Sequence, residues 1–200
     1  MRAIAARARR LGLLRDGGTA SADSTGMESR HASRHYQYRR ARDPGVEVAM
    51  PDWPKVTWVL DNDSYLIGGA WAGRGPSYDA PTLSPALRLA AEHMRPAVLL
   101  ADSGFDSEKN HRLARELGVR RTLIALNRRG HAGEPGTRYR RQMHRHPNRR
   151  LYGQRWHIEG SVSQHKRRFG SALRTRRPDA QRRECLFRVL LHNIALLAAV

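Results

Sequence analysis

Two short apolar runs set the tightest limits on what this chain can fold into. Ala97–Ala101 reads AVLLA and Thr122–Leu126 reads TLIAL, with no polar residue alternating through the first. A strand that is apolar without alternation is one covered on both faces. The first run stops at Asp102-Ser103-Gly104. Between the two runs, Ser107 can cap a helix over Glu108–Leu117, and Gly118 ends it. Upstream, Val56–Leu60 is β-branched and aromatic, Asp61-Asn62-Asp63 is a turn signal, and Ser64–Ala72 continues as a second strand, so the three predict a hairpin. Ser84–Met94 has helical spacing. Leu151–Phe169 predicts one long helix and Ala180–Ala199 another, while 28–54 and 127–150 read as polar, basic loop. Thr19–Ala22, running into Asp23-Ser24-Thr25-Gly26, is a poor strand by composition. The order of elements predicts an α/β fold, a mixed sheet flanked by helices.

Charge narrows the partners. The 200 residues carry 37 Lys+Arg against 18 Asp+Glu, a formal charge of +19. Such a field favours a polyanion, and nucleic acid is the commonest one. Only Lys55, Lys109 and Lys166 are lysines; every other cation is arginine, which grips phosphate oxygens bidentately. A single cysteine, Cys185, excludes an internal disulfide and fits a reducing, cytoplasmic setting. The apolar C-terminal run is interrupted by Arg188, His192 and Asn193, and it falls short of the roughly 20 apolar residues a membrane span needs.

The segment Leu151–Phe169 holds the chemistry. On a continuous helix turning ~100° per residue, Tyr152, Arg155, Glu159 and Lys166 fall in one sector of roughly 60°. Leu151, Ile158, Val162 and Phe169 form an apolar stripe beside it. The polar stripe would therefore lie at the edge of a packed contact. Read alone, Arg155 and Glu159 are also an ordinary i,i+4 ion pair on a solvated face. Their surroundings favour more. Residues 127–183 contain 17 Arg/Lys and three acids, so Glu159 is a rare carboxylate in a basic zone, placed to hold a divalent cation while arginines hold phosphate. Asp102, just beyond a buried strand, stands where α/β sheets bind ligands, and reads equally as a turn residue. Asp106 reads as a helix-start residue, and Asp61 and Asp63 as turn residues. His144-Arg145-His146 lacks a further ligand at zinc spacing and reads as basic loop.

Tyr152, Arg155, Glu159 and Lys166 match the pattern Y-x2-R-x3-E-x6-K, and the chain thereby resembles one large branch of insertion-sequence DDE transposases. Ala22-Asp23-Ser24-Thr25-Gly26 is similar to that family's first-aspartate strand, and Ala101-Asp102-Ser103-Gly104-Phe105-Asp106 to its second. The resemblance runs from about residue 19 to the end. It implies a ribonuclease-H-like fold, with Asp23, Asp102 and Glu159 as the catalytic and metal-binding triad for Mg²⁺ or Mn²⁺, two ions in all. It implies phosphate or DNA-end contacts for Tyr152, Arg155 and Lys166, to which the adjacent Arg167, Arg168 and Trp156 are added as DNA-binding candidates. DNA, as transposon ends and target, is the implied partner, with a homodimer as the acting unit. The implied activity is phosphodiester hydrolysis followed by transfer of the freed 3′-OH. Residues 1–18 read as a basic N-terminal helix, the remnant of a longer region, and 19–200 as the catalytic domain. Two alternatives stay open on the residues themselves: a non-catalytic basic nucleic-acid-binding fragment, and a nuclease of the same fold without strand transfer.

Overall fold

The least strand-like segment turns out to be the centre of the sheet. The computed structural model describes residues 1–29, 53–128 and 133–200, and in it Thr19–Gly26 forms β1. Its neighbours are β3 (Trp53–Asp61) on one side and β5 (Val98–Ala101) on the other. The small residues that weaken its strand propensity suit this place. Ala20, Ser21 and Ala22 are fully buried because helices cover both faces, and larger side chains would hold those helices off.

Five strands make the main sheet, in the order β4-β3-β1-β5-β6, where β4 is Ile67–Gly75 and β6 is Arg121–Ile124. β1, β3 and β4 pair antiparallel, whereas β1, β5 and β6 pair parallel. The helices follow in chain order as α1 (Arg2–Arg10), α2 (Ala80–Ala91), α3 (Glu108–Glu116), α4 (Arg138–Arg145), α5 (Arg149–Gly153), α6 (Trp156–Phe169) and α7 (Pro178–Ala198). A second, two-stranded sheet joins β2 (Glu28–Ser29) to β7 (Ala172–Leu173). This is the ribonuclease-H-like mixed sheet that the resemblance implies. No helix among the described residues is long and apolar enough to cross a membrane.

Two apolar layers hold the sheet between them. One packs α1 and α2 on the sheet through Ala5, Ala8, Leu83, Leu87 and Leu99. The other packs α6 and α7 through Trp58, Leu60, Ile67, Ile158 and Val189. Ser107 caps α3 by accepting from the Asn110 amide, and Gly118 reverses the chain after it at φ +88°, as the sequence predicts.

Several boundaries differ from the sequence reading. The second hairpin strand begins at Ile67, because the chain turns through Ser64–Leu66, with Ser64 bonded to Asp61 and Tyr65 at φ 60°. The segment read as loop over 127–150 contains α4, whose apolar content is too small to show a period; Met143 is its one buried residue. The helix read as continuous over Leu151–Phe169 is two helices, α5 and α6, broken at Gln154-Arg155. The break lets Leu151 and Tyr152 pack on Leu100, Leu123 and Met143, while Ile158 packs in the Trp58 layer. Asp106 does not start a helix. Its carboxylate is fully buried, accepts from the Asn127 amide and holds Arg140 of α4 in a fork at 2.9–3.1 Å. His31 and Arg34, which follow the first aspartate motif, lie outside the described residues.

The α6–α7 layer also buries histidines. His165 packs against Trp58 and lies 5.8 Å from His192, ring centre to ring centre. Burial pushes the His165 imidazole down to about 3 and lowers His192 as well. Both are neutral in the fold and titrate near 6.5 when unfolded, so the unfolded chain gains protons first as pH falls. Stability from this pair is complete above pH 6.5 and is lost progressively below it. At pH 5 the expected loss is about 2 kcal/mol for His165 alone. Chemical denaturation at pH 7.5 and 5 checks this, with His165→Phe as the variant whose profile flattens.

Candidate active site

Strand register brings the two aspartates together. β1 and β5 run parallel with Ala22 beside Ala101, so Asp102 follows the end of β5 and Asp23, still within β1, follows the last residue paired with it. β5 stops there, and Asp102 turns back to accept from the Gly104 amide at 2.8 Å, opening a short 3-10 turn over Ser103–Phe105. Across the sheet Asp23 lies beside Trp58 of β3. Ile158 of α6 packs in the same layer as Trp58, which carries the start of that helix over the β1–β5 junction.

The third carboxylate is linked to Asp23 through an arginine. Arg155 Nη2 pairs with Glu159 Oε1, and Arg155 Nη1 lies 3.9 Å from Asp23 Oδ1. Asp23 and Arg155 are each 19% exposed, whereas Glu159 is 55% exposed at the mouth of the site. The i,i+4 pair read from the sequence is thus present, and it is tied to Asp23 as well. Tyr152, on α5, stands near enough to the same arginine for its charge to oppose the rise that burial causes in the phenol.

Electrostatics show how closely these groups stand. Burial pushes Asp23 up to about 6; Arg155 opposes that rise, and the charges of Asp102 and Glu159 add to it. Burial raises the Tyr152 phenol too, and Asp102 and Glu159 again add to the rise. One buried carboxylate therefore feels two others while sharing a single guanidinium. Hard carboxylate oxygens crowded in this way are a donor set suited to a divalent cation such as Mg²⁺, whose charge would relieve their repulsion. Among the described residues, no three acidic, histidine or cysteine side chains stand ready at metal-holding separation.

The other candidate residues are placed differently. Lys166 is half-buried on the last turn of α6, with Arg167 and Arg168 exposed beside it, seven residues or roughly 10 Å beyond Glu159. They extend the site along the helix rather than joining the carboxylates. Trp156 is 58% exposed and stacks on His157 with ring centres 3.9 Å apart. The Tyr65 hydroxyl bonds His157 Nδ1 at 2.7 Å, so the hairpin turn braces the start of α6 from below. Gly160 faces open space, so no packing neighbour accounts for a glycine at this point of the helix.

Sequence reasoning missed a layer beneath the site. A Cβ on Gly104 would meet Asp79 Oδ2 at 2.6 Å and Asp102 Oδ1 at 3.1 Å, so Asp79 lies close behind the second aspartate. Lys55, almost fully buried, pairs with Asp79 at 2.5 Å. Ser24, Thr57 and Thr82 form a hydroxyl chain at 2.7 and 2.6 Å that ties β1 through β3 to α2. A lysine inside a strand-like run was the available signal, since a buried ammonium requires an acidic partner.

The family model described as "Transposase DDE domain" matches residues 17–194. No curated protein matches the chain. Among solved structures, the chain is similar to one in a simian T-cell lymphotropic virus intasome in complex with PP2A regulatory subunit B56 gamma, at 12% identity and a TM-score of 0.46. The likeness covers 91% of this chain and 48% of that one, so this chain spans about half the solved chain's length.

Proposed function

Because the chain belongs to the transposase DDE domain family, we propose that it cuts DNA phosphodiesters with Asp23, Asp102 and Glu159 and transfers the freed 3′-OH to a second strand. The observation that carries this reading is the register that sets Asp23 of β1 beside Asp102 at the end of the parallel β5, with Glu159 linked to Asp23 by Arg155. A pair of Mg²⁺ or Mn²⁺ ions at these carboxylates would supply activation of the attacking oxygen and stabilisation of the leaving 3′ oxygen. Asp23 and Asp102 hold the inner side of that site, and Glu159 closes it from the solvent side. Arg155, Tyr152 and Lys166 grip backbone phosphates, with Arg167 and Arg168 continuing the basic track and Trp156 offering an exposed ring to DNA. DNA ends and target are the proposed substrates, and a homodimer the proposed acting unit. Residues 19–200 act as the catalytic unit, with 1–18 appended.

A nicking assay on supercoiled DNA tests the assignment. Cutting is expected with Mg²⁺ or Mn²⁺, none with EDTA, and a loss of about a thousandfold or more in Asp102→Asn and Glu159→Gln. Metal-dependent cutting that persists in both variants would remove these residues from the chemistry. A substrate with a pre-cut 3′-OH end separates a transposase from a plain nuclease: joining to a second duplex is expected, and hydrolysis without joining would refute strand transfer.

A further inference from the structure

Arg155 pairs with both Asp23 and Glu159. Its two Nη atoms face opposite partners, Nη1 toward Asp23 Oδ1 at 3.9 Å and Nη2 onto Glu159 Oε1. It stands at the N-cap position of α6, in the break after α5, so its side chain starts from a point fixed by both helices. Only 19% of it is exposed, unlike the open Arg167 and Arg168 on the same helix. A single guanidinium beside two carboxylates offsets part of their combined charge.

We infer that Arg155 is an internal counter-ion that competes with divalent cations for Asp23 and Glu159, and that it is free to bind a DNA phosphate only once those carboxylates turn to the cation. The inference rests on the carboxylate assignment proposed above. One guanidinium cannot hold two carboxylates and a phosphate with full hydrogen bonding at once. A phosphate that draws Arg155 away therefore frees the carboxylates, and cation binding frees Arg155. The two events favour each other by equal factors, as linked equilibria must. In the resting chain, the same pairing limits repulsion between Asp23 and Glu159.

Mn²⁺ binding to the DNA-free full chain, followed by the electron paramagnetic resonance of free Mn²⁺, tests this without reference to activity. Arg155→Gln is expected to bind Mn²⁺ about three- to tenfold more tightly than the wild type. Arg155→Lys, which retains the charge, is expected to stay near the wild type. A plain structural or ligand-positioning role predicts the opposite sign for Arg155→Gln. Circular dichroism confirms the fold of each variant. A second readout keeps Arg155 itself in view: Mg²⁺ is expected to speed phenylglyoxal modification of Arg155, mapped by mass spectrometry, in the wild type and not in Glu159→Gln. Unchanged or weaker Mn²⁺ binding in Arg155→Gln, with binding lost in Asp102→Asn, would overturn the counter-ion and leave the site standing. Equal Mn²⁺ binding by the wild type, Asp102→Asn and Glu159→Gln would overturn the carboxylate site itself.

Discussion

Asp23→Asn is expected to make the protein more stable at pH 8 while removing at least about a thousandfold of its DNA cleavage. Burial pushes this carboxyl up to about 6 from an ordinary 3.8, and the charges of Asp102 and Glu159 add to the rise. An acid whose folded value is raised holds its proton more tightly in the fold than in the unfolded chain. It therefore contributes stability below pH 3.8, and that stability is lost as pH climbs through 6. Above pH 7 the ionised Asp23 costs on the order of 2–3 kcal/mol. Asparagine keeps the shape and drops the charge. The attraction of Arg155 is already contained in that cost, but the asparagine amide must still be buried without a set partner, so a net gain of about 1–2 kcal/mol is expected, or roughly 3–6 °C in thermal midpoint for a chain of this size. The gain must shrink as pH is lowered through 6, because the wild type then protonates. Thermal melts of both proteins at pH 8 and pH 5 measure this. A variant less stable than the wild type at pH 8, or equally stabilised at both pH values, would show that Asp23 is not held under charge strain. Stability given up at a charged cluster is what a site built to receive cations requires.

The largest loss of stability is expected from Gly69→Ala, far from the carboxylates. A Cβ at residue 69 would stand 2.1 Å from the Ala86 carbonyl oxygen and 2.4 Å from the Ala90 nitrogen. Both are backbone atoms of α2, so neither can swing aside. The helix must lift from β4, opening the layer that holds Leu83, Leu87 and Ala90. A destabilisation of about 3 kcal/mol or more is expected, with a drop in thermal midpoint of roughly 6–12 °C. Gly68→Ala is the internal control. There a Cβ would meet Met94 Sδ at 2.1 Å and Cγ at 2.8 Å, the movable end of a flexible side chain. A clearly smaller loss is expected. The two glycines sit at an irregularity of the β3–β4 pairing, where the register shifts between Val59 and Leu60. Equal losses in the two variants would show that backbone proximity between β4 and α2 is not what demands Gly69.

The elements with strong local signals were legible in the chain. AVLLA is β5 because an apolar run of that length is buried on both faces, and Ser107 with Gly118 frames α3 by local capping. β1 was legible only weakly. Its alanines and serine do not favour strands on their own; they are there because two helical layers press on them. α4 was hidden, since its stability comes from contacts made elsewhere. The Glu108 carboxylate accepts from the Tyr139 and Arg140 amides at its first turn, and Asp106 holds Arg140. The break between α5 and α6 was hidden as well. Gly153 was its one local signal, and across the break Tyr152 and Ile158 pack into different clusters.

For the candidate site, the rarity of acid in a basic stretch singled out Glu159, and helical spacing set Tyr152, Arg155 and Lys166 beside it, whereas Asp23 and Asp102 were pointed to mainly by the resemblance. Their joint geometry was not legible. A continuous helix would have placed Tyr152 and Glu159 on one straight stripe, whereas in two helices meeting at Arg155 the tyrosine packs with Leu100, Leu123 and Met143. Lys55 and Asp79 show the same limit from the other side, being ordinary in sequence and paired only because β3 and α2 meet behind Gly104. Local periodicity, capping and composition act between near neighbours in the chain, so the order of residues determined the α/β class and pointed to the candidate side chains. Which carboxylates share one charge environment, and which cation stands between them, depends on strand register and helix packing over long separations, and only the folded structure decided that.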